Sequence, residues 1–286
     1  MKLVIVGGGF TGAAVARRAR EAGFAIVATT RSDARAASLR SLGVTPLVTP
    51  VLTAESLAPY VDGETRVLVT MPPDGTTDAA IATPLARVAR SIAYVSSTGV
   101  YGDAQGRVDE ETQVNPTTPR ASARLDGERI WQGAGASIVR APGIYGPGRG
   151  MHLRLARGEL RLAEGTNTIS RIHVDDLAAA LFALLARGVR GALYVTGDHE
   201  PAPHADVVRF LCDALALPMP PRMAAEEADE SLRNDRRVDA SRILEALSLT
   251  LAYPNYRAGY TQCIEADRAP IDAAIRDRNA RAPAAD

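Results

Sequence analysis

The segment Lys2-Leu3-Val4-Ile5-Val6-Gly7-Gly8-Gly9-Phe10-Thr11-Gly12 constrains the fold of this chain more than any other stretch. A short apolar run ends in three glycines, and the chain continues into the helix formers Ala13, Ala14, Ala16 and Ala19. The spacing is G-x-G-x-x-G, and it follows a predicted strand and opens a predicted helix. In such a strand–turn–helix, Gly7 makes the tight turn, Gly9 lets a pyrophosphate approach the backbone, and Gly12 lets the helix pack closely on the strand. The first N–H groups of the helix and its positive dipole end then face the phosphates. Gly7, Gly9, Phe10, Thr11 and Gly12 are therefore the expected dinucleotide contacts.

The rest of the chain repeats this rhythm. Apolar, β-branched runs at 3–6, 25–30, 45–48, 67–71, 92–96, 137–140 and 192–196 read as strands buried on both faces. Helical stretches at 11–22, 33–42, 79–89, 119–132 and 175–186 lie between them, and several stop at a glycine (Gly23, Gly43, Gly133, Gly188). Such alternation predicts an α/β fold, a doubly wound parallel sheet with crossover helices. Beyond Ala141 the pattern loosens into Gly/Pro-rich loops and shorter helical pieces, the mark of a smaller C-terminal lobe. Residues 268–286, rich in Ala, Arg and Asp without apolar periodicity, read as a loose, flexible tail.

Charge narrows the function classes. Lys+Arg and Asp+Glu both number 33, so no basic excess points to nucleic acid or an anionic membrane. The longest apolar helical run, 177–186, is far short of the ~18 residues a membrane span needs. Cys212 and Cys263 form no CxxC pair, so neither a metal site nor a disulfide framework is expected, and the reduced cytoplasm is the expected compartment. Lys2 is the sole lysine, which excludes any mechanism that uses a lysine deeper in the chain.

The second strand runs into Arg31 and Ser32, where an NAD-specific fold places an acid for the ribose 2′-hydroxyl. The Arg31 guanidinium fork, with Ser32 as a further donor, suits a 2′-phosphate and favours NADP over NAD. Asp33, two residues on, is the rival reading.

Four further segments carry a family resemblance: residues 94–102 (YVSSTGVYG), 139–148 (VRAPGIYGPG), 171–178 (RIHVDDLA) and 237–244 (RVDASRIL). Together with the glycine turn they resemble, in order, the extended short-chain dehydrogenase/reductase family, in its NAD-dependent epimerase/dehydratase group. The resemblance implies a Rossmann domain over 1–145, with 170–197 completing the sheet. It implies a small discontinuous substrate-binding lobe over 146–169 and 198–267. Met71, Pro72, Pro142 and Ile144 would line the cofactor, and Ser97 matches the Ser/Thr that holds the substrate oxygen. Homodimers through paired helices are common in the family.

The resemblance breaks on the next helix, capped by Thr118 with Pro119 at its first position. The family's Tyr-x-x-x-Lys pair falls on Arg120 and Arg124. Both still share one helical face, but arginine stays protonated and cannot act as the acid. It can bind a carboxylate, a phosphate or a cofactor ribose; alternatively it is a solvated face with Arg124 paired to Glu128. Tyr101, Tyr145 and His173 remain as acid/base candidates. Tyr145, in the loop expected to face the nicotinamide, is preferred. His173 reads as structural beside Asp175, the expected cap of the following helix. Arg149, His152, Arg154 and Arg157 suggest an anionic ligand.

Two functional readings follow. The first is an NAD(P)-dependent oxidoreductase or epimerase/dehydratase-like enzyme for a small hydroxylated or carbonyl substrate, such as a nucleotide sugar, with Ser97, Tyr145, Arg120 and Arg124 in its active site. The alternative is a non-catalytic NAD(P)H-binding protein with a redox-sensing role.

Overall fold

In the computed structural model the glycine turn lies at the centre of a seven-stranded parallel sheet. The structure describes residues 1–163, 167–224, 227 and 234–281. The sheet strands are β1 (Lys2–Val6), β2 (Ala25–Thr30), β3 (Thr45–Val48), β4 (Thr65–Val69), β5 (Ser91–Ser97), β7 (Ser137–Ala141) and β12 (Leu193–Val195). They correspond to the seven runs expected as strands and lie in the order β12-β7-β5-β4-β1-β2-β3. Every pairing in this sheet is parallel.

The two-residue period of a strand explains the two layers. Leu3 and Ile5 of β1 enter one core with α1 (Phe10–Glu21) and α7 (Val174–Ala186). Val4 and Val6 enter the opposite core with α4 (Thr76–Val88) and α5 (Pro119–Gly133). On the β2–β3 side, α2 (Asp33–Ser41) and α3 (Ala54–Leu57) supply the buried Leu39 and Leu57. The strand order reverses at β1, which has β2 on one side and β4 on the other. In a doubly wound sheet this switch opens a crevice at the carboxyl ends of the two diverging strands.

A smaller four-stranded sheet runs β13-β10-β15-β6, from β6 (Gly106–Val108), β10 (Thr168–Ile169), β13 (Ala202–Pro203) and β15 (Arg236–Val238). Thus β6 leaves the N-terminal portion of the chain to join strands of the later segments. β11 (Arg171–His173) pairs with β8 (Gly143–Tyr145), and β9 (Leu162–Ala163) with β14 (Arg222–Met223). Of the 170–197 segment expected to complete the central sheet, only β12 pairs into it.

The lobe has its own core, formed by α6 (Met151–Ala156), α8 (His204–Leu215), α10 (Tyr256–Ala266) and α11 (Arg268–Arg281) around Leu153, Val207, Leu211 and Tyr260. α9 (Ser241–Ala246) instead adds Ile243 to the α1/α7 core. The stretch from Arg268, expected as a loose tail, is helical to Arg281. Ile271 is fully buried and Ala274 and Ile275 pack beside it, an i, i+3, i+4 stripe diluted in the sequence by Arg, Asp and Ala. Residues 282–286 of the expected tail, and 164–166, 225–226 and 228–233 of the expected lobe, lie outside the described residues.

Among the described residues no helix is long and apolar enough to cross a membrane, and no His/Cys/Asp/Glu cluster is arranged to hold a metal.

Candidate active site

The glycine turn has the geometry its spacing requires. Gly7 has φ +104°, and a Cβ there would stand 2.7 Å from the Met71 nitrogen. A Cβ on Gly12 would come within 2.4 Å of the Gly7 carbonyl oxygen. Thr29 and Thr70 fix the turn: the Gly7 N–H donates to Thr29 Oγ1 at 2.9 Å, and Thr70 Oγ1 donates to the Gly7 carbonyl at 2.6 Å. Gly9 is exposed, and a Cβ there would meet nothing within 4 Å. It is the N-cap residue of α1, whose first turn carries no acid and whose N–H groups receive no side-chain cap. The turn is therefore an open cradle of donors that fits a pyrophosphate.

At the end of β2, Ser32 caps α2 by accepting from the Arg35 N–H at 3.3 Å, which leaves its hydroxyl proton free to donate. Arg31 is exposed beside it, and Asp33 stands in the first turn of α2.

Met71 and Pro72 follow β4 and adjoin the turn, the Met71 N–H bonding to the Val6 carbonyl at 3.2 Å. Arg124 comes to this point from α5. Its guanidinium donates to the Val95 carbonyl and the Tyr94 hydroxyl, each at 3.1 Å, and lies over the Tyr94 ring. Burial pushes the Tyr94 hydroxyl up to about 12 despite this charge. The expected Arg124–Glu128 pairing does not form. Glu128 is buried against Arg140 in a two-pronged ion pair, with Arg140 Nη2 to Oε2 at 2.8 Å and Nε to Oε1 at 3.0 Å. Arg140 also donates to the Tyr101 hydroxyl at 3.1 Å, which itself donates to the Asp109 carbonyl at 2.6 Å. Both bonds hold Tyr101 in the framework, and burial raises its pKa.

Ser97 closes β5 half-exposed, its Oγ accepting from the Gly99 N–H at 3.1 Å. This is the local backbone bond typical of a strand-end serine, and it leaves the hydroxyl proton available. Thr118 caps α5 as expected, with Pro119 following. Arg120 is exposed on the first turn, one turn before Arg124.

Tyr145 borders the lobe cavity, but with its hydroxyl buried. Its hydroxyl is buried without a hydrogen-bond partner and presses on Gly259 of α10, where a Cβ would lie 2.0 Å away. Its ring stacks on Tyr260 at 4.4 Å, and burial drives its pKa well above the usual tyrosine value. His173 is fully buried and its Nδ1 caps α7 by accepting from the Asp175 N–H at 3.3 Å, the role expected of Asp175. Its Nε2 meets Gln262 Oε1 at 3.2 Å, and desolvation lowers its pKa.

Pro142 and Ile144 lie on the wall of a cavity of about 440 Å³ between the sheet edge and the lobe. Among the described residues that line it are five arginines (Arg149, Arg154, Arg157, Arg171 and Arg236) and no carboxylate. Arg171 is buried and donates to the Ile169 and Ala202 carbonyls at 2.8 and 3.1 Å. His204 also lines the cavity, with a buried and unpartnered Nδ1. Desolvation, helped by Arg171 and Arg154, pushes it down to about 4, so the ring is neutral. His152 is not part of the wall; it is buried and bonds Asp267 Oδ2 through Nε2 at 2.8 Å.

Arg171, Arg236 and His204 are site residues that sequence reasoning missed. They reach one cavity from β11, β15 and the start of α8, and no local spacing links them. Asp198 is a fourth. It is buried behind Arg171, and neither carboxylate oxygen makes a well-formed hydrogen bond. Desolvation raises it to about 7, against the Arg171 charge and the Glu200 backbone N–H, which favour ionisation.

Comparison with known proteins bears on the family and the fold. Residues 74–197 match the model of the NAD dependent epimerase/dehydratase family. Protein YeeZ of Escherichia coli K12 is 30% identical over 168 residues, covering 57% of this chain and 59% of YeeZ. The chain thus spans about three-fifths of that relative's length. A Silicibacter pomeroyi protein of unknown function is 34% identical, with a TM-score of 0.80 over 92% of this chain and 98% of that one. The UDP-glucuronic acid 4-epimerase of Bacillus cereus, solved with UDP-glucuronic acid and NAD, shares the fold at 16% identity, with a TM-score of 0.77 over 94% and 99%.

Proposed function

Because the chain belongs to the NAD-dependent epimerase/dehydratase family of extended short-chain dehydrogenases/reductases, we propose that it binds a nicotinamide dinucleotide at the glycine turn. In this reading it acts on an anionic, hydroxylated or carbonyl substrate in the arginine-walled cavity. The observation that carries this is the cradle itself: Gly7 and Gly12 are forced by contacts, while Gly9 and the first N–H groups of α1 are left open. A bound nicotinamide would supply hydride transfer to or from a substrate carbon.

The chain's own residues divide the remaining work. Gly7, Gly9, Phe10, Thr11 and Gly12 hold the pyrophosphate, and Met71, Pro72, Pro142 and Ile144 flank the rest of the dinucleotide. Arg31, with Ser32 beside it, takes a 2′-phosphate and gives a preference for NADP. Arg124, fixed on the ends of β4 and β5, occupies the family's lysine slot and donates hydrogen bonds to the cofactor ribose hydroxyls. Ser97 holds the substrate oxygen, with Arg120 as a nearby anion-binding group. The cavity arginines suit a substrate with a phosphate or carboxylate, nucleotide sugars being the class bound by the Bacillus cereus neighbour.

Neither arginine of α5 can donate and recover a proton, and Tyr145 is shut into the lobe core. This favours a second reading, a dinucleotide-binding protein that responds to redox state without turnover. Titration with NADPH and NADH, followed by a panel of nucleotide sugars and small carbonyl compounds, separates the two. Tight dinucleotide binding with product formation supports the enzyme, and binding with unconverted cofactor supports the sensor. Equal affinity or tighter NADH contradicts the NADP preference.

A further inference from the structure

Arg149 stands at the contact between the two halves of the molecule. It ends a four-residue turn closed by reciprocal backbone bonds, Gly146 N–H to the Arg149 carbonyl and Arg149 N–H to the Gly146 carbonyl, both at 2.9 Å. The turn is anchored to the lobe by the Gly148 N–H, which donates to Asp267 Oδ2 at 2.6 Å. At its other end Gly146 packs against Phe10 and Val174. The Arg149 guanidinium lies over the Phe10 ring, 5.4 Å from its centroid. Phe10 is the first residue of α1 and belongs to the glycine turn.

An exposed arginine is thus delivered from the lobe to the open end of α1. No ion pair with Arg149 is formed among the described residues, and the first turn of α1 has no acid to neutralise it. The ring contact orients the guanidinium without consuming its donors. A fork of N–H groups and a row of free helix N–H groups, brought side by side, suit an anion that offers oxygens to both.

We infer that Arg149 is a clamp from the lobe onto the dinucleotide pyrophosphate, so that cofactor binding draws the cavity wall against the glycine turn. This rests on the dinucleotide reading above. Arg149 also lines the cavity, so the same side chain makes the cavity's shape depend on whether cofactor is bound.

The test compares NADH with ADP-ribose, which keeps the pyrophosphate and lacks the nicotinamide, on the full chain by calorimetry. Arg149→Met is expected to weaken both ligands by a similar factor of about ten or more, the usual scale for a charge-assisted bond. It should also flatten the salt dependence of both affinities. Arg149→Lys should recover part of the loss, and Phe10→Leu, which removes the ring under the guanidinium, should weaken both ligands less than Arg149→Met does. Unchanged ADP-ribose affinity in a folded Arg149→Met protein would overturn the inference and leave the dinucleotide reading standing. If the wild-type chain binds neither of these ligands nor NADPH, the dinucleotide reading fails and the clamp with it.

Discussion

The two ends of one crevice differ in how strictly they keep the family pattern. At the glycine turn, each motif position has the environment its spacing demands, down to a Cβ that would strike Met71 at Gly7 and a free volume at Gly9. On α5 the helix and its cap are kept, while the two positions that the resemblance assigns to Tyr and Lys hold Arg120 and Arg124. Arg124 still reaches the ends of β4 and β5, as a residue in the lysine slot should, and Glu128 still locks the helix through Arg140. In the proposed reading, architecture and reaction are therefore separable: the positions persist, and the side chains at them differ.

This contrast can be broken from the structural side first. Glu128→Ala leaves the buried Arg140 without its partner and should cost about 3–5 kcal/mol of stability, read from denaturant unfolding. A loss below ~1 kcal/mol would mean that the Arg140 pair is not what fixes α5. The chemical side is sharpened by reversing the divergence. The double variant Arg120→Tyr, Arg124→Lys restores an acid/base pair, and should raise turnover about a hundredfold on any substrate found. No gain, with cofactor binding intact, would favour the sensor reading.

A buried carboxyl outside the cavity wall offers a pH-dependent probe. Asp198 is held protonated up to about pH 7 in the folded chain, whereas an unfolded aspartate ionises near pH 4. The folded state therefore binds more protons across that window, and stability falls as pH rises through it. Asp198→Asn should be more stable than the wild type at pH 8, by an amount on the order of 1–3 kcal/mol, and no more stable at pH 3.5. Melting curves at the two pH values check this. An equal effect at both would point to packing rather than charge. The smallest expected effect is at the cofactor's far end: Arg31→Ala should weaken NADPH by about tenfold and leave NADH unchanged, as one lost phosphate contact would.

The contrast also explains what could be read in advance. All seven strands of the central sheet were legible, because strands buried on both faces are continuous apolar runs and several of the helices between them end near a glycine. The turn was legible because its requirements are local. The cavity was not. Arg171, on the β8–β11 pair, meets Arg236 and His204, on or beside the four-stranded sheet, only through the topology, and in a chain with a single lysine an arginine facing a cavity looks like any arginine on the surface. His173 rather than Asp175 caps α7, because the helix begins at Val174 and leaves Asp175 inside its first turn. The helix at Arg268 escaped because only three apolar positions define its buried face.

The central claim is that the open glycine cradle holds a dinucleotide, and Gly9→Asp tests it most directly. Gly9 has φ −78° and room for a side chain, and aspartate at a helix N-cap stabilises the helix, so the variant should fold at least as stably as the wild type. Its carboxylate would occupy the place assigned to the pyrophosphate. The account expects the wild type to bind NADPH and the variant, at equal or higher melting temperature, to lose that binding by about a hundredfold or more. NADPH bound equally by both proteins, or by neither, would contradict it.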